Sequence, residues 1–185
     1  MDIVLSICLG IGLSAACGFR VFVPLLAASI ASLSGYLNLS SGFQWIGTPA
    51  ALTAFAIASI LEIIAYYVPW VDNIMDTIAA PAAAVAGTIV AASSFVDISP
   101  MMKWTLAIIA GGGTASVLHG GTALLRAASS AGTLGLGNHA VATMELLIAA
   151  GLSILAIAVP LAGVVAVFAL LFYIVGKGLR KLRKA

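Results

Sequence analysis

Charge is what this chain lacks. Only 8% of its 185 residues are Asp, Glu, Lys or Arg, while 63% are hydrophobic and the mean hydropathy is +1.21. Soluble domains carry roughly 25% charged residues, so a water-soluble globule is excluded. So apolar a surface cannot be hidden inside so small a body, and lipid must be the solvent. Cysteine is scarce too. Cys8 and Cys17 lie nine residues apart, which puts them on opposite faces of one helix and excludes a bond between them there. No Cys/His spacing of the zinc type occurs, so neither metal nor cofactor is expected. Nucleophile elbow, phosphate loop and HExxH motif are all missing, and no enzymatic role is expected. Met1-Asp2 has no basic n-region and no cleavage site follows it, so the first apolar stretch is expected to remain in the membrane.

The cations that are present crowd together. Lys177, Arg180, Lys181, Arg183 and Lys184 occupy the last nine positions, five of the eight basic residues in the chain. A basic cluster beyond an apolar span marks a cytoplasmic end and suits anionic headgroups; without aromatic partners it does not read as a nucleic-acid patch. The division expected is a single transmembrane domain over 1–176 and a basic cytoplasmic tail over 177–185.

Crossing about 30 Å of hydrocarbon takes roughly 20 helical residues. Apolar runs at 3–33, 49–68, 74–95, 103–130, 139–158 and 160–176 therefore predict an all-α, polytopic bundle of about six segments. The first and fourth runs are overlong and glycine-rich, so they are expected to be kinked, tilted or broken, at Gly18 and Pro24 in one and at Gly112, Gly120 and Gly121 in the other. Six crossings would leave both termini in the cytoplasm. Residues 12–31 and 112–131 match at seven of twenty positions, and Gly47, Ala50 and Thr53 match Gly137, Ala140 and Thr143. This predicts pseudo-repeats over about 3–95 and 103–176, three spans each, the second inverted as in many transporters. Gly10, Ser14 and Gly18, set against Gly112, Ser116 and Gly120, read as small-residue faces for close helix packing.

Charges within the spans are the functional clue, since each costs at least about 2.5–3.5 kcal/mol in hydrocarbon. Arg20 falls mid-span, and Pro24 supplies no amide for its carbonyl, which frees backbone beside a cation. Such a break can hold an anion, a substrate carboxylate or an internal partner such as Glu62 or Glu145. These two glutamates could bind a proton or cation, with His119 as an auxiliary group. Asp72 and Asp76, four apart at the start of the third span, read as helix caps or a cation-collecting mouth, and Asn138 as a cap.

Three stretches, GIGLSAACGFRVFVPLL at 10–26, LEIIAYYVPWVDNIMD at 61–76 and HGGTALLRAASSAGTLGLGNHAVATMEL at 119–146, together resemble the bacterial integral-membrane family described as domain of unknown function 4126. The matching positions are Gly18, Arg20 and Pro24; Glu62, Pro69 and Asp72; and Gly120, Gly121, Arg126, Gly135, Gly137, Asn138 and Glu145. The chain departs from that pattern at Tyr66-Tyr67, where an Asp-Lys pair is expected, and at Leu146, where a second acid is expected. The resemblance implies a compact polytopic domain in the bacterial cytoplasmic membrane, supplies no activity, and points to Arg20, Glu62, Arg126 and Glu145.

The expectation is a small transporter or channel for a small solute or ion, sited near the broken helices at mid-membrane and working as a homo-oligomer. The alternatives are a structural or assembly protein whose buried charges pair internally, and a lipid-handling enzyme or flippase.

Overall fold

The computed structural model describes residues 2–68, 71–133 and 136–182, with side chains at all of these except 73 and 173–182. Among the described residues the chain is helical and contains no strand: α1 Ile3–Cys17, α2 Phe22–Leu33, a 3-10 turn Gln44–Gly47, α3 Pro49–Tyr67, α4 Val71–Ser94, α5 Pro100–Leu106, a π turn Ala107–Gly112, α6 Gly113–Thr133, α7 Asn138–Ala158 and α8 Pro160–Leu182. Among the described residues, four stretches are long and apolar enough to cross a membrane: Pro49–Tyr67, Ile74–Ser94, Pro100–Thr133 and Asn138–Ala158. This satisfies lipid's demand that every backbone amide find its partner inside the chain. Pro69, Trp70, Arg183 and Lys184 lie outside the described residues, as do the side chains of Lys177, Arg180 and Lys181.

The first apolar run is broken near Gly18, as expected of it, and does not traverse the bundle as one continuous span. It is a helical hairpin. Ile7 packs with Ala91, Phe95 and Ile98, Ser14 donates to the Gly87 carbonyl at 2.6 Å, and Arg20 donates to the Ala142 carbonyl at 2.8 Å. These contacts descend along α4 and then reach the start of α7. The chain then turns at 18–21 and α2 climbs back, so that the Ser40 amide donates to the Ser93 carbonyl at 2.8 Å. Both legs therefore begin and end at the end of the bundle that holds Ser93, here the upper end. The lower end holds the C-terminus of α3 and the N-termini of α4 and α7, tied by hydrogen bonds from Tyr67 to Thr143 and from Asn138 to Asp72.

One consequence concerns the termini. α8 leaves the upper end and runs antiparallel to α7, with Gly163 against Ala156 and Val167 packed near Ala149 and Leu152. Ile3 and Leu182 thus sit at opposite ends of the bundle. An even number of crossings would have put them together; the hairpin removes one.

Local sequence explains the turn. Gly18 is pressed against α6, and a Cβ there would meet the Ala115 carbonyl and the Leu118 Cβ, both at 2.7 Å. Pro24 falls in the first turn of α2, where a missing amide leaves nothing unsatisfied. At the top of α2, Gly35 with φ +77° lets the amides of Gly35 and Tyr36 close back on Ser32 and Ala31, ending the helix.

The fourth run behaves differently from the expected break. Residues 100–133 stay helical throughout, and the irregularity is a π turn at 107–112 that includes Gly111 and Gly112. Gly120 and Gly121 sit inside continuous α6 and break nothing. Without water to take up freed amides, glycine alone does not interrupt a membrane helix.

α1 is buried on nearly every side, against α4, α6, α7 and α8, and glycine makes these approaches possible. At Gly111 a Cβ would lie 2.6 Å from the Ala91 Cβ and 2.7 Å from the Gly87 carbonyl, groups with no freedom to retreat. Of the small-residue faces, Gly10, Gly18 and Gly112 are used for close packing, whereas Gly120 has nothing within 4 Å. Replacing Gly111 with Ala should lower stability by about 1–3 kcal/mol, read as a drop in the thermal midpoint in detergent. Gly113→Ala, where nothing lies within 4 Å, should leave it unchanged.

Candidate functional site: a buried charge cluster at the hairpin tip

The turn of the hairpin delivers Arg20 into a pocket of charges from four other helices. Arg20 is 1% exposed, Glu62 from α3 4%, Arg126 from α6 3% and Glu145 from α7 3%; Asp76 of α4 completes the set. Glu62 and Asp76 lie five residues, and Arg126 and Glu145 seven, from the lower ends of their helices. At 1.5 Å per residue the cluster is about 8–11 Å from the lower ends of these helices.

Pairing is specific. Arg126 holds Glu145 by two points, Nε to Oε1 at 3.0 Å and Nη2 to Oε2, a fork geometry that only guanidinium supplies. Arg20 Nη2 approaches the same Oε2 at 3.7 Å, and Arg126 Nη1 lies 3.4 Å from Asp76 Oδ1. A chain of alternating charge, Asp76–Arg126–Glu145–Arg20, therefore links α4, α6, α7 and the hairpin tip.

Glu62 lies within electrostatic reach of Arg20 and also serves the backbone of the hairpin. Its two oxygens accept the amides of Val21 at 2.7 Å and Phe22 at 3.1 Å. These amides open α2, so Glu62 closes the exposed N-terminus of the returning helix, where the helix dipole favours negative charge. Gln could offer only one oxygen there.

Tyr66 packs against both arginines. Both guanidinium carbons lie 4.0 Å from its ring centroid, and its side chain is within electrostatic reach of Asp76. Cation–π contacts gain strength when desolvated, up to about 2 kcal/mol each. The sequence marked Tyr66 only as a departure from the family pattern. Its spacing of four from Glu62, on the same helix face, was the signal that could have found it.

His119 is 5% exposed and its Nε2 lies 3.3 Å from the Asp76 carbonyl, at the rim of the cluster. Asn138 is not a helix cap: its Nδ2 donates to Asp72 Oδ2 at 3.1 Å and to Ser130 Oγ at 2.9 Å, tying α4, α6 and α7 together. Asp76, a turn further along than a capping residue, faces Arg126 instead. Several donors and acceptors here make no hydrogen bond: Nε and Nη1 of Arg20, Nη1 of Arg126 and Oδ1 of Asn138. Among the described residues no group of three His, Cys, Asp or Glu is placed to hold a metal ion.

The family model described as Domain of unknown function (DUF4126) matches residues 7–177. The chain belongs to this family. No curated protein and no solved structure matches it. The matched region of this DUF4126 protein contains the hairpin from Ile7 onward and every member of the cluster.

Removing one partner from a buried ion pair leaves a charge without compensation, at about 3–5 kcal/mol. Arg126→Met should therefore destabilise the bundle by that order, read as the midpoint of SDS-induced unfolding in mixed micelles. Arg126→Met combined with Glu145→Gln should recover part of the loss. A double variant no better than the single one would show that the pair is not coupled.

Proposed function

We propose that this membrane protein is a small carrier or channel for a small solute or ion, working by displacement of the hairpin tip. The observation that carries this reading is the N-terminus of α2, where two backbone amides aim at a carboxylate beside an arginine with spare donors. Broken-helix ends of this kind are used by transporters to hold anionic groups and ions. Glu62 occupies the position that a permeant's anionic group could take, and the described geometry corresponds to a closed state.

Room for movement supports the same reading. α2 is flanked by two apolar grooves, one of about 530 Å³ lined by Phe22, Leu25, Phe55 and Pro81, the other of about 600 Å³ lined by Val23, Ile30, Ala150 and Ile154. A leg bounded by such grooves has apolar flanks along which to shift, and the contacts it must exchange are those of its tip with Glu62, Ala142 and Glu145. No enzymatic step is part of this reading, and a second copy of the chain would help to enclose a path. An inverted relation is supported by direction: α3 and α4 run opposite to α7 and α8, in the register of the sequence repeat.

A second reading is favoured by the pairing of Arg126 with Glu145. In it the cluster only welds five helices together, as a structural or assembly protein would require.

Flux separates them. In proteoliposomes on a solid-supported membrane, concentration jumps of protons, sodium, potassium, chloride and acetate should give a current for at least one probe. Arg20→Ala and Glu62→Gln should abolish it while the protein still elutes as a folded species. Full current in both variants rejects the site, and no current for any probe favours the structural reading. For orientation, we infer that the basic tail is cytoplasmic in a bacterial inner membrane and that residue 2 faces the other side. A reporter fused at each terminus should be accessible from opposite sides; access to both from one side would reject this.

A further inference from the structure

The cluster carries more acid than base. Arg20 and Arg126 give two positive charges, while Glu62, Asp76 and Glu145 give three negative ones, an excess of one carboxylate in a setting that penalises net charge. Glu62 is saturated by two amides and Glu145 by the fork of Arg126 with Arg20 alongside. Asp76 is the third acid. Among the described residues it is approached by Arg126 Nη1 at 3.4 Å, a nitrogen that makes no hydrogen bond, with Tyr66 and His119 within electrostatic reach. Its side chain is also 21% exposed, against 0–4% for Arg20, Arg126 and Glu145.

We propose that Asp76 is the proton-exchanging carboxylate of the cluster, so that the coupling ion of the site is a proton taken up from the lower face. This rests on the carrier reading for its purpose, though not for its geometry. A hydronium ion gives its proton to a carboxylate oxygen of Asp76 and leaves as water. The cluster then holds two cations and two anions, and Arg126 is bound by Glu145 alone. Loss of the proton restores the link from α4 to α6. The groups facing Asp76 are Arg126 and His119 from α6, Tyr66 from α3 and Asp72 from its own helix, with Arg20 within electrostatic reach. Of these, Asp72 is committed to Asn138, and the His119 ring contacts the Asp76 backbone. The neutral acid is the low-pH form, so acidification loosens α4 from α6 and a rise in pH reconnects them.

Infrared difference spectroscopy between low and high pH, on the full chain in nanodiscs, tests this without a known substrate. Acidification should produce a protonated-carboxyl band that shifts when the protein carries carbon-13 carboxyl-labelled aspartate, that disappears in Asp76→Asn, and that survives in Asp72→Asn and Asp97→Asn. If Asp76→Asn does not fold, Asp76→Glu should move the band from the labelled aspartate set to the glutamate set. A band that ignores the aspartate label, that is lost in Asp72→Asn, or that follows sodium and not pH would overturn the assignment, as would the absence of any band. Were flux absent while the band behaves as expected, the carrier reading would fall and the proton site would stand.

Discussion

A cation held in the interior of a lipid-facing bundle is the constraint around which this fold is organised. Arg20 is essentially inaccessible, and in hydrocarbon a bare guanidinium is untenable. Everything nearby answers to that: a carboxylate from α7 opposite it, the Tyr66 ring against its face, and the Ala142 carbonyl as acceptor. The hairpin must turn where it does because only there can the other helices supply these partners. The freed amides of the turn raise a second demand, met by Glu62.

Stability and function draw on the same groups. A fully paired cluster would be a weld and nothing more, since buried ion pairs recover little beyond their own desolvation. Here the pairing is uneven: one glutamate serves two arginines, another serves backbone amides, and a third acid is held loosely at the rim. In the proposed carrier reading, this unevenness is what would let the site take a second arrangement. The glycine contacts of α1 with α4, α7 and α8 provide the opposite quality, a closely packed frame.

Much of the site was legible in the sequence because charge in an apolar run has few innocent explanations. Arg20, Glu62, Arg126 and Glu145 stand out on that ground alone, and the structure brings them together. Tyr66 did not stand out, since a tyrosine in a membrane helix is unexceptional until two guanidiniums are found against its faces. Asn138 was misread for a similar reason: local sequence favours capping by asparagine, and only the neighbouring helices make Asp72 and Ser130 better partners. Lys103, a stray cation in the sequence, proves to fasten the loop after α2, donating to Ser40 Oγ at 2.6 Å beside Phe43.

The sequence by itself determined that the solvent is lipid, that the elements are helices, and where most of them begin and end, because hydropathy and proline placement act over short stretches of chain. Only the tertiary structure decided that residues 3–33 turn back and that 100–133 continue. The two runs look alike in glycine content and length. They differ in what faces them: Glu62 waits to accept the amides of a broken helix at Val21 and Phe22, while the glycines of α6 keep their own backbone bonds. A break in a membrane helix is settled by partners distant in the chain, and those are not written into the local pattern.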